Sequence, residues 1–368
     1  RSVRADLPAT GRRLGTPSRR SSLRSVIEVP PPTRDGVDEA LARPMPSRFR
    51  RPGDRAFLVL VTGLALTVVA LAVAMGWVLW AEGRTPIETF GFLGFLTGTA
   101  WNPVTGQFGT GPFLLGTLIT SVAALALSFF PAVALAIYTA EYAPRWLAAF
   151  IDGTVDLLAA IPSVVLGIWG IFVLAPWLRD TFYLPVYLTF ARPPEWAAPV
   201  VDQLPAGVLA VLGTPQNYNM VTFTLVLALM VVPFTTALAR DALRSVPIEQ
   251  REAMWALGAT RWEVIRRTVV PYARGGIVAG AILAFGRAIG ETMAAAMLIG
   301  NSNKLPFTLF GPAATMPSVI VNEFREAVEN LHYSSLVAVG FYLFLLSLVI
   351  NLGAAWLQRR LTVGSRGS

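Results

Sequence analysis

From about residue 57 onward the chain alternates long apolar runs with shorter polar stretches. Six runs are long enough to cross a bilayer as helices, at about 57–80, 112–139, 153–178, 220–239, 275–299 and 334–357; about 20 apolar residues cover a hydrocarbon core ~30 Å thick. The pattern predicts an all-α polytopic membrane protein with six transmembrane helices. Pro131, Pro162 and Pro233 fall inside spans, where neighbouring helices can satisfy the freed carbonyls, so kinks or short breaks are expected there. The third span is the least regular, because Asp152 and Asp156 stand at its start and Pro162 interrupts it.

Ahead of the spans, residues 1–55 hold 13 Arg against 6 acidic residues and no apolar run that could bury a core. They are expected to form a disordered basic tail, with no signal-peptide apolar region behind the first arginines. If this tail is cytoplasmic, the inside segments carry 24 of the 30 Lys and Arg, the outside loops 5, and one is intramembrane. The positive-inside rule then places both termini in the cytoplasm. The predicted plan is a tail over 1–55, a transmembrane domain over 56–358 with a cytoplasmic loop at 240–274, and a short cytoplasmic tail at 359–368. The basic tail could touch anionic membrane lipid or be solvated. The outside loop at about 179–219 could cover an outer vestibule or meet a partner.

Composition narrows the chemistry. Hydrophobic residues make up 54% and charged residues 14%, against about 25% charged in soluble domains, so a soluble enzyme is not expected. There is no cysteine and one histidine, His332, which excludes thiol nucleophiles and His-rich metal clusters. The one lysine, Lys304, follows Gly300-Asn301-Ser302-Asn303, which is not a phosphate-binding P-loop. The chain is therefore not expected to carry a P-loop ATPase of its own, to be an enzyme or to hold a cofactor, and gives no sign of a nucleic-acid partner.

Two stretches concentrate the remaining chemistry. In the 240–274 loop, Ile248 to Leu257 reads as a short helix with Ser245 as a candidate cap and Pro247 in its first turn, ended by Gly258, a residue free to take positive φ. A second helix is expected from about Thr260 to Pro271. Met254 and Trp255 give the first helix an apolar contact face; by composition alone the loop is a basic, solvated surface. In the fifth span, Phe285-Gly286-Arg287-Ala288-Ile289-Gly290-Glu291-Thr292-Met293 places an arginine and a glutamate at i and i+4, expected on one helix face. A charge at the centre of an isolated span costs on the order of 2.5–3.5 kcal/mol, so both should face protein or water. The pair is either a functional site or an intrahelical salt bridge that neutralises itself. Gly276, Gly280 and Ala284 form a small-residue stripe on the same span, suited to close helix approach.

Glu252-Ala253-Met254, then Gly258 and Val270-Pro271, resembles the E-A-A-x-x-x-G-x(9)-I-x-L-P loop of ABC importer permeases, with Met254, Thr268 and Val270 departing from the pattern. Over about 57–357 the chain resembles the PstC branch of the phosphate importer permeases. Besides the loop, the resemblance is carried by Trp101-Asn102-Pro103, Gly116-Thr117 with Thr120-Ser121, Ile161-Pro162-Ser163-Val164-Val165 with Gly167 and Trp169-Gly170, and Gly286-Arg287-Ala288 with Gly290-Glu291-Thr292-Met293. The sister PstA branch usually continues the last stretch with Ala-Pro, where this chain has Met293-Ala294.

The resemblance implies a six-span ABC-type permease in a bacterial inner membrane. It implies a PstA-like partner permease, two PstB-like ATPase subunits that bind ATP and Mg, and a PstS-like phosphate-binding protein outside. It also implies that Arg287, Glu291 and Thr292 line the phosphate path. Glu252, Ala253, Met254, Trp255 and Gly258 would couple to the ATPase, with Met254 and Trp255 filling a groove there. Glu291 would hold Arg287 when the site is empty and favour a protonated oxyanion. The alternatives are an ABC permease for molybdate or sulfate, and a non-ABC ion-coupled carrier or scaffold in which the charged pair relays protons or bridges structure.

Overall fold

The computed structural model describes residues 52–191 and 207–363. Most of the basic tail, the Pro-Pro-Glu-Trp part of the 179–219 loop and the end of the C-terminal tail lie outside the described residues. In chain order the helices are α1 (Pro52–Phe90), α2 (Phe92–Thr97), α3 (Gly111–Ile137, continued by a π-helical turn Tyr138–Tyr142), α4 (Arg145–Ala160) and α5 (Ser163–Ala191). They continue with α6 (Val208–Leu212), α7 (Met220–Arg244), α8 (Ile248–Ala256), α9 (Arg261–Ile289), α10 (Met293–Leu298), α11 (Met316–Glu323) and α12 (Asn330–Val363). Six of them, α1, α3, α5, α7, α9 and α12, are long and apolar enough to cross a membrane.

The fold divides after Ala70. In the first unit the described residues are the N-terminal part of α1, whose side chains from Phe57 to Val69 are open on nearly every side. That surface is stable only against lipid or another protein. The second unit holds the packed helices. Its central core joins α3, α7 and α9 through Ala124, Phe223, Val226, Leu227, Val231, Ala284 and Ala288. A second core on the outer side gathers Phe95, Trp101, Phe108 and Phe113 against Leu336, Val339 and Tyr342 of α12. A third, on the cytoplasmic side, holds Ala136, Leu243, Val246, Val264, Val269 and Ile277.

Close approach depends on small residues. A Cβ on Gly276 would lie 2.5 Å from Ala242 Cβ, and one on Gly280 would lie 2.7 Å from Leu238 Cβ. The stripe on α9 is thus the seat of α7, as expected of helices that associate without a hydrophobic force from water. Gly116 is tighter: a Cβ there would sit 2.1 Å from the Ala314 carbonyl oxygen, a backbone atom that cannot rotate away. Gly116→Val should therefore cost at least the 1–3 kcal/mol typical of overpacking and lower the melting temperature of the purified complex. Gly63→Ala, with nothing within 4 Å, should leave it unchanged.

Several sequence expectations are corrected. At Pro162 the expected break is present, but it lies before the third span and not within it: residues 153–160 belong to α4, an amphipathic helix that buries Ala148 and Val155 and exposes Trp146, Phe150 and Leu157. The third span instead runs through three π-helical or short α turns to Ala191, into what was expected to be loop. The fifth span starts earlier, because the helix begun at Arg261 passes Pro271 without a turn: proline sits in the first positions of Val270–Ile289, where its missing N–H costs little. Pro131 and Pro233 stay within continuous helices. The end helices extend beyond the expected domain limits, α1 beginning at Pro52 and α12 reaching Val363.

Candidate functional site

The fifth span breaks where its charges lie. α9 ends at Ile289, Gly290 turns the chain, and α10 starts at Met293. Arg287 and Glu291 are therefore not stacked on one helix face. No ion pair among the described residues joins them, and the expectation that Glu291 holds Arg287 is not met. Arg287 lies in the last turn of α9, where the helix dipole favours a cation, and its guanidinium stacks over the Phe234 ring of α7 at 4.2 Å from the centroid. It is exposed on the surface of the isolated chain. Glu291 is buried at 8% exposure and turns inward, accepting a 3.4 Å hydrogen bond from the Ala294 backbone N–H. Thr292 donates from its hydroxyl to the Gly290 carbonyl at 2.9 Å, which fixes the break.

The rest of the span is built around this break. Gly167 and Gly170 of α5 leave room for α10: Cβ atoms there would fall 2.8 Å from Met297 Sδ and 2.8 Å from Leu298 Cδ1. On the outer side Gly300 takes φ +92° and Asn301 φ +53°, and Ala313 N–H donates to the Ile299 carbonyl at 2.9 Å. The chain then enters α11 through a reciprocal cap of Thr315 and Ser318, while the Met316 N–H donates to Thr117 Oγ1 of α3 at 2.9 Å. The glycine and threonine signatures in α3 and α5 hold the segments around the break.

On the cytoplasmic side α8 is a short helix with Pro247 at its N-cap, not Ser245, whose hydroxyl donates back to the Ala242 carbonyl at 2.8 Å. Gly258 takes φ +81° with nothing within 4 Å of a would-be Cβ, so the position needs glycine for its backbone angle alone. Thr260 and Glu263 then form a capping box that starts α9. Glu252, Ala253 and Trp255 are exposed, and Leu257 more so. Met254 is half-buried: it packs partly on the cytoplasmic core, while Trp255 and Leu257 are the exposed apolar side chains of this segment. Met254, Leu257, Gly258, Ala259, Glu263 and Arg267 line a groove of ≈ 510 Å³ beside α8.

Several charged residues escaped the sequence reading. Glu141, in the π-helical turn ending α3, is buried and paired with Arg251 of α8. Arg251 also donates to the Leu243 carbonyl at 2.9 Å, and Arg261 donates to the Glu141 carbonyl. Asp152 of α4 meets Arg240 and Arg244 of α7, each at 2.9 Å. On the outer side Glu323 accepts from Trp101 Nε1 at 2.7 Å and Asn303 Nδ2 at 3.1 Å, and lies 3.0 Å from His332 Nε2. Glu141, Asp152 and Trp101 find partners up to 222 residues away, so no local spacing could reveal those contacts.

Residues 132–363 match the family model described as the binding-protein-dependent transport system inner membrane component. The chain is 39% identical, over 84% of its length and 90% of that protein, to the phosphate transport system permease protein PstC of Mesorhizobium japonicum. It is 35% identical, over 83% of its length and 90% of the relative, to a PstC of Xylella fastidiosa. Among solved structures, a bacterial alginate ABC transporter in complex with its alginate pentasaccharide-bound periplasmic protein matches with a TM-score of 0.53 at 18% identity, covering 84% of this chain and 97% of that one; at that identity the likeness speaks for the fold. The motif glycines at the helix contacts, the broken fifth span and the Glu252–Gly258 turn thus sit in a chain that belongs to the family of binding-protein-dependent transport system inner membrane components, the multi-pass permeases of ABC transporters.

Proposed function

We propose that this chain is the PstC-type permease subunit of an ATP-driven phosphate importer. It forms the transmembrane path with a PstA-like partner permease, is driven by two PstB-like ATPase subunits that hold ATP and Mg, and takes phosphate from a PstS-like binding protein outside. The observation that carries the reading is Arg287: an exposed guanidinium in the last turn of α9, at the break of the fifth span, with no carboxylate paired to it among the described residues and with Phe234 stacked beneath it. Hydrocarbon does not tolerate such a charge. It must face water, a second subunit or an anion, and a planar guanidinium suits the paired oxygens of phosphate.

The chemistry divides between neighbours. Arg287 supplies charge and bidentate donors to the oxyanion. Glu291 and Thr292 shape the break that ends α9, and we assign to the Glu291 carboxylate the disfavouring of a fully ionised anion. Phosphate at neutral pH keeps a proton that a carboxylate can accept, and sulfate does not. ATP binding by the partner moves α8 through its Trp255 and Leu257 face, and the spans that follow tilt from one opening to the other.

The test is uptake of labelled phosphate into vesicles containing the four partners, with sulfate and molybdate as competitors. Phosphate uptake resistant to both is expected; molybdate or sulfate uptake in preference would establish the other-oxyanion reading. Glu291→Gln should let sulfate compete, and continued refusal of sulfate by the assembled variant would remove Glu291 from selection. Phe234→Leu, which takes away the ring but not the charge, should weaken uptake modestly, since an exposed to partly desolvated cation–π contact is worth about 0.5–2 kcal/mol. Uptake measured against phosphate concentration reads this directly, and an unchanged curve would make the stacking incidental.

A further inference from the structure

The cytoplasmic end of α3 is gripped by the loop that carries α8. Glu141 is buried, and its carboxylate is paired with Arg251, itself mostly buried at 14% exposure. Arg261 reaches the same turn from the other side of Gly258, donating to the Glu141 carbonyl and lying over the Tyr142 ring at 5.0 Å. Arg251 also bonds the Leu243 carbonyl near the end of α7 at 2.9 Å. The turn that offers these acceptors is π-helical, Tyr138–Tyr142, so its carbonyls are not all spent within an α-helical ladder. A buried carboxylate left unpaired here would be costly, which favours keeping this grip through any movement of α8.

From the grip, α3 runs unbroken to Thr117, which accepts from the Met316 N–H. At 1.5 Å per residue the distance from Glu141 to Thr117 along the helix is about 36 Å, the depth of the membrane. We propose that Glu141 is the positioning residue through which movement of α8 enters the membrane domain. Arg251 and Arg261 bolt α8 and the start of α9 to α3, and α3 carries the displacement as a rigid rod to the Ala313–Met316 segment on the outer side. The proposal rests on the assignment of α8 as the ATPase contact and adds the residue that transmits the motion.

The experiment measures phosphate taken up per ATP hydrolysed in the full complex. Glu141→Gln keeps the size of the side chain and removes its charge; the complex should assemble and hydrolyse ATP while this ratio falls about tenfold, within the roughly 5- to 150-fold range of site-to-site coupling. Arg251→Met and the double variant should show the same loss as Glu141→Gln, since the two residues act as one link. The chain has no cysteine, so Glu141→Cys with Arg251→Cys, in partners cleared of cysteine, can be joined by a flexible bis-maleimide. The ratio should be low before cross-linking and recover after it, in the same sample. An unchanged ratio in assembled Glu141→Gln, or a cross-linked chain that stays uncoupled, would overturn the proposal, and the second result decides even if the single variant does not assemble. Trp255→Ala separates the underlying assignment: it should lose the ATPase from the purified complex, and full retention would sink the contact itself rather than the link behind it.

Discussion

Arg287→Ala should abolish phosphate uptake while leaving the complex assembled. Among the described residues the guanidinium makes no ion pair and stacks on the Phe234 ring, so removing it leaves no stranded carboxylate there. Nor does it open the core, because the side chain is exposed while its neighbours Ala288 and Ile289 are the buried ones. On the proposed function, what is lost is a charge-assisted contact to an anion away from bulk water. Truncating such a partner costs about 2–5 kcal/mol, which at 1.4 kcal/mol per decade is at least about a 30-fold fall in uptake. Arg287→Lys should fall between, because the charge stays but the planar fork and its stacking on Phe234 go. Uptake must be read against subunit stoichiometry in the same preparation. Normal uptake by an intact Arg287→Ala complex would make the charge structural and leave the permease family standing without a phosphate contact.

Much of this architecture was legible because lipid simplifies the code. Six apolar runs became six spanning helices, since a backbone in hydrocarbon must close its own hydrogen bonds. The small-residue stripe on the fifth span was also legible, and Gly276 and Gly280 do receive α7. Less legible were the points where one residue decides between two continuations. Pro162 reads equally well as a kink or as a boundary. It became a boundary because the residues before it make an amphipathic helix tied to α7 through Asp152, Arg240 and Arg244, an attachment 88 residues away in sequence at Arg240. Gly290 is the same case. A helix can run through one glycine, and only the packing of α10 onto Gly167 and Gly170 shows why it turns there.

The site was half legible for the same reason. The presence of Arg287 and Glu291 in a span marked them as candidates because such charges are expensive there. Their relation to each other did not follow, since i and i+4 are neighbours only while the helix lasts. In the loop, the requirement for glycine at 258 was legible from the order of residues, whereas the packing of Met254 on the cytoplasmic core as well as along the groove was not, because the core residues it meets lie on other elements. Glu141 gave no local signal at all. It stands at the membrane edge as a lone acid, and its arginines lie 110 and 120 positions on.

Gly258→Val should uncouple ATP hydrolysis from transport, and the ranking of substitutions at this position should follow backbone angle rather than size. At φ +81° an L residue is strained, by roughly 1–2 kcal/mol for the left-handed region and more when β-branched. Nothing within 4 Å would meet an added Cβ, so crowding contributes nothing. The strain is relieved by changing the angle between α8 and α9, which would move Trp255 and Leu257 away from the proposed ATPase contact while leaving the membrane core untouched. Gly258→Asn should therefore be nearly silent, since asparagine visits this region readily; Gly258→Ala should be worse despite its smaller side chain, and Gly258→Val worst of all. The measurement is phosphate uptake per ATP hydrolysed across the three variants, with binding of phosphate to the external protein as a control that should not move. A ranking by volume, with alanine tolerated and asparagine not, would place Gly258 against a partner surface that needs space. The asparagine-tolerant order would identify it as the joint whose angle sets where α8 meets the motor.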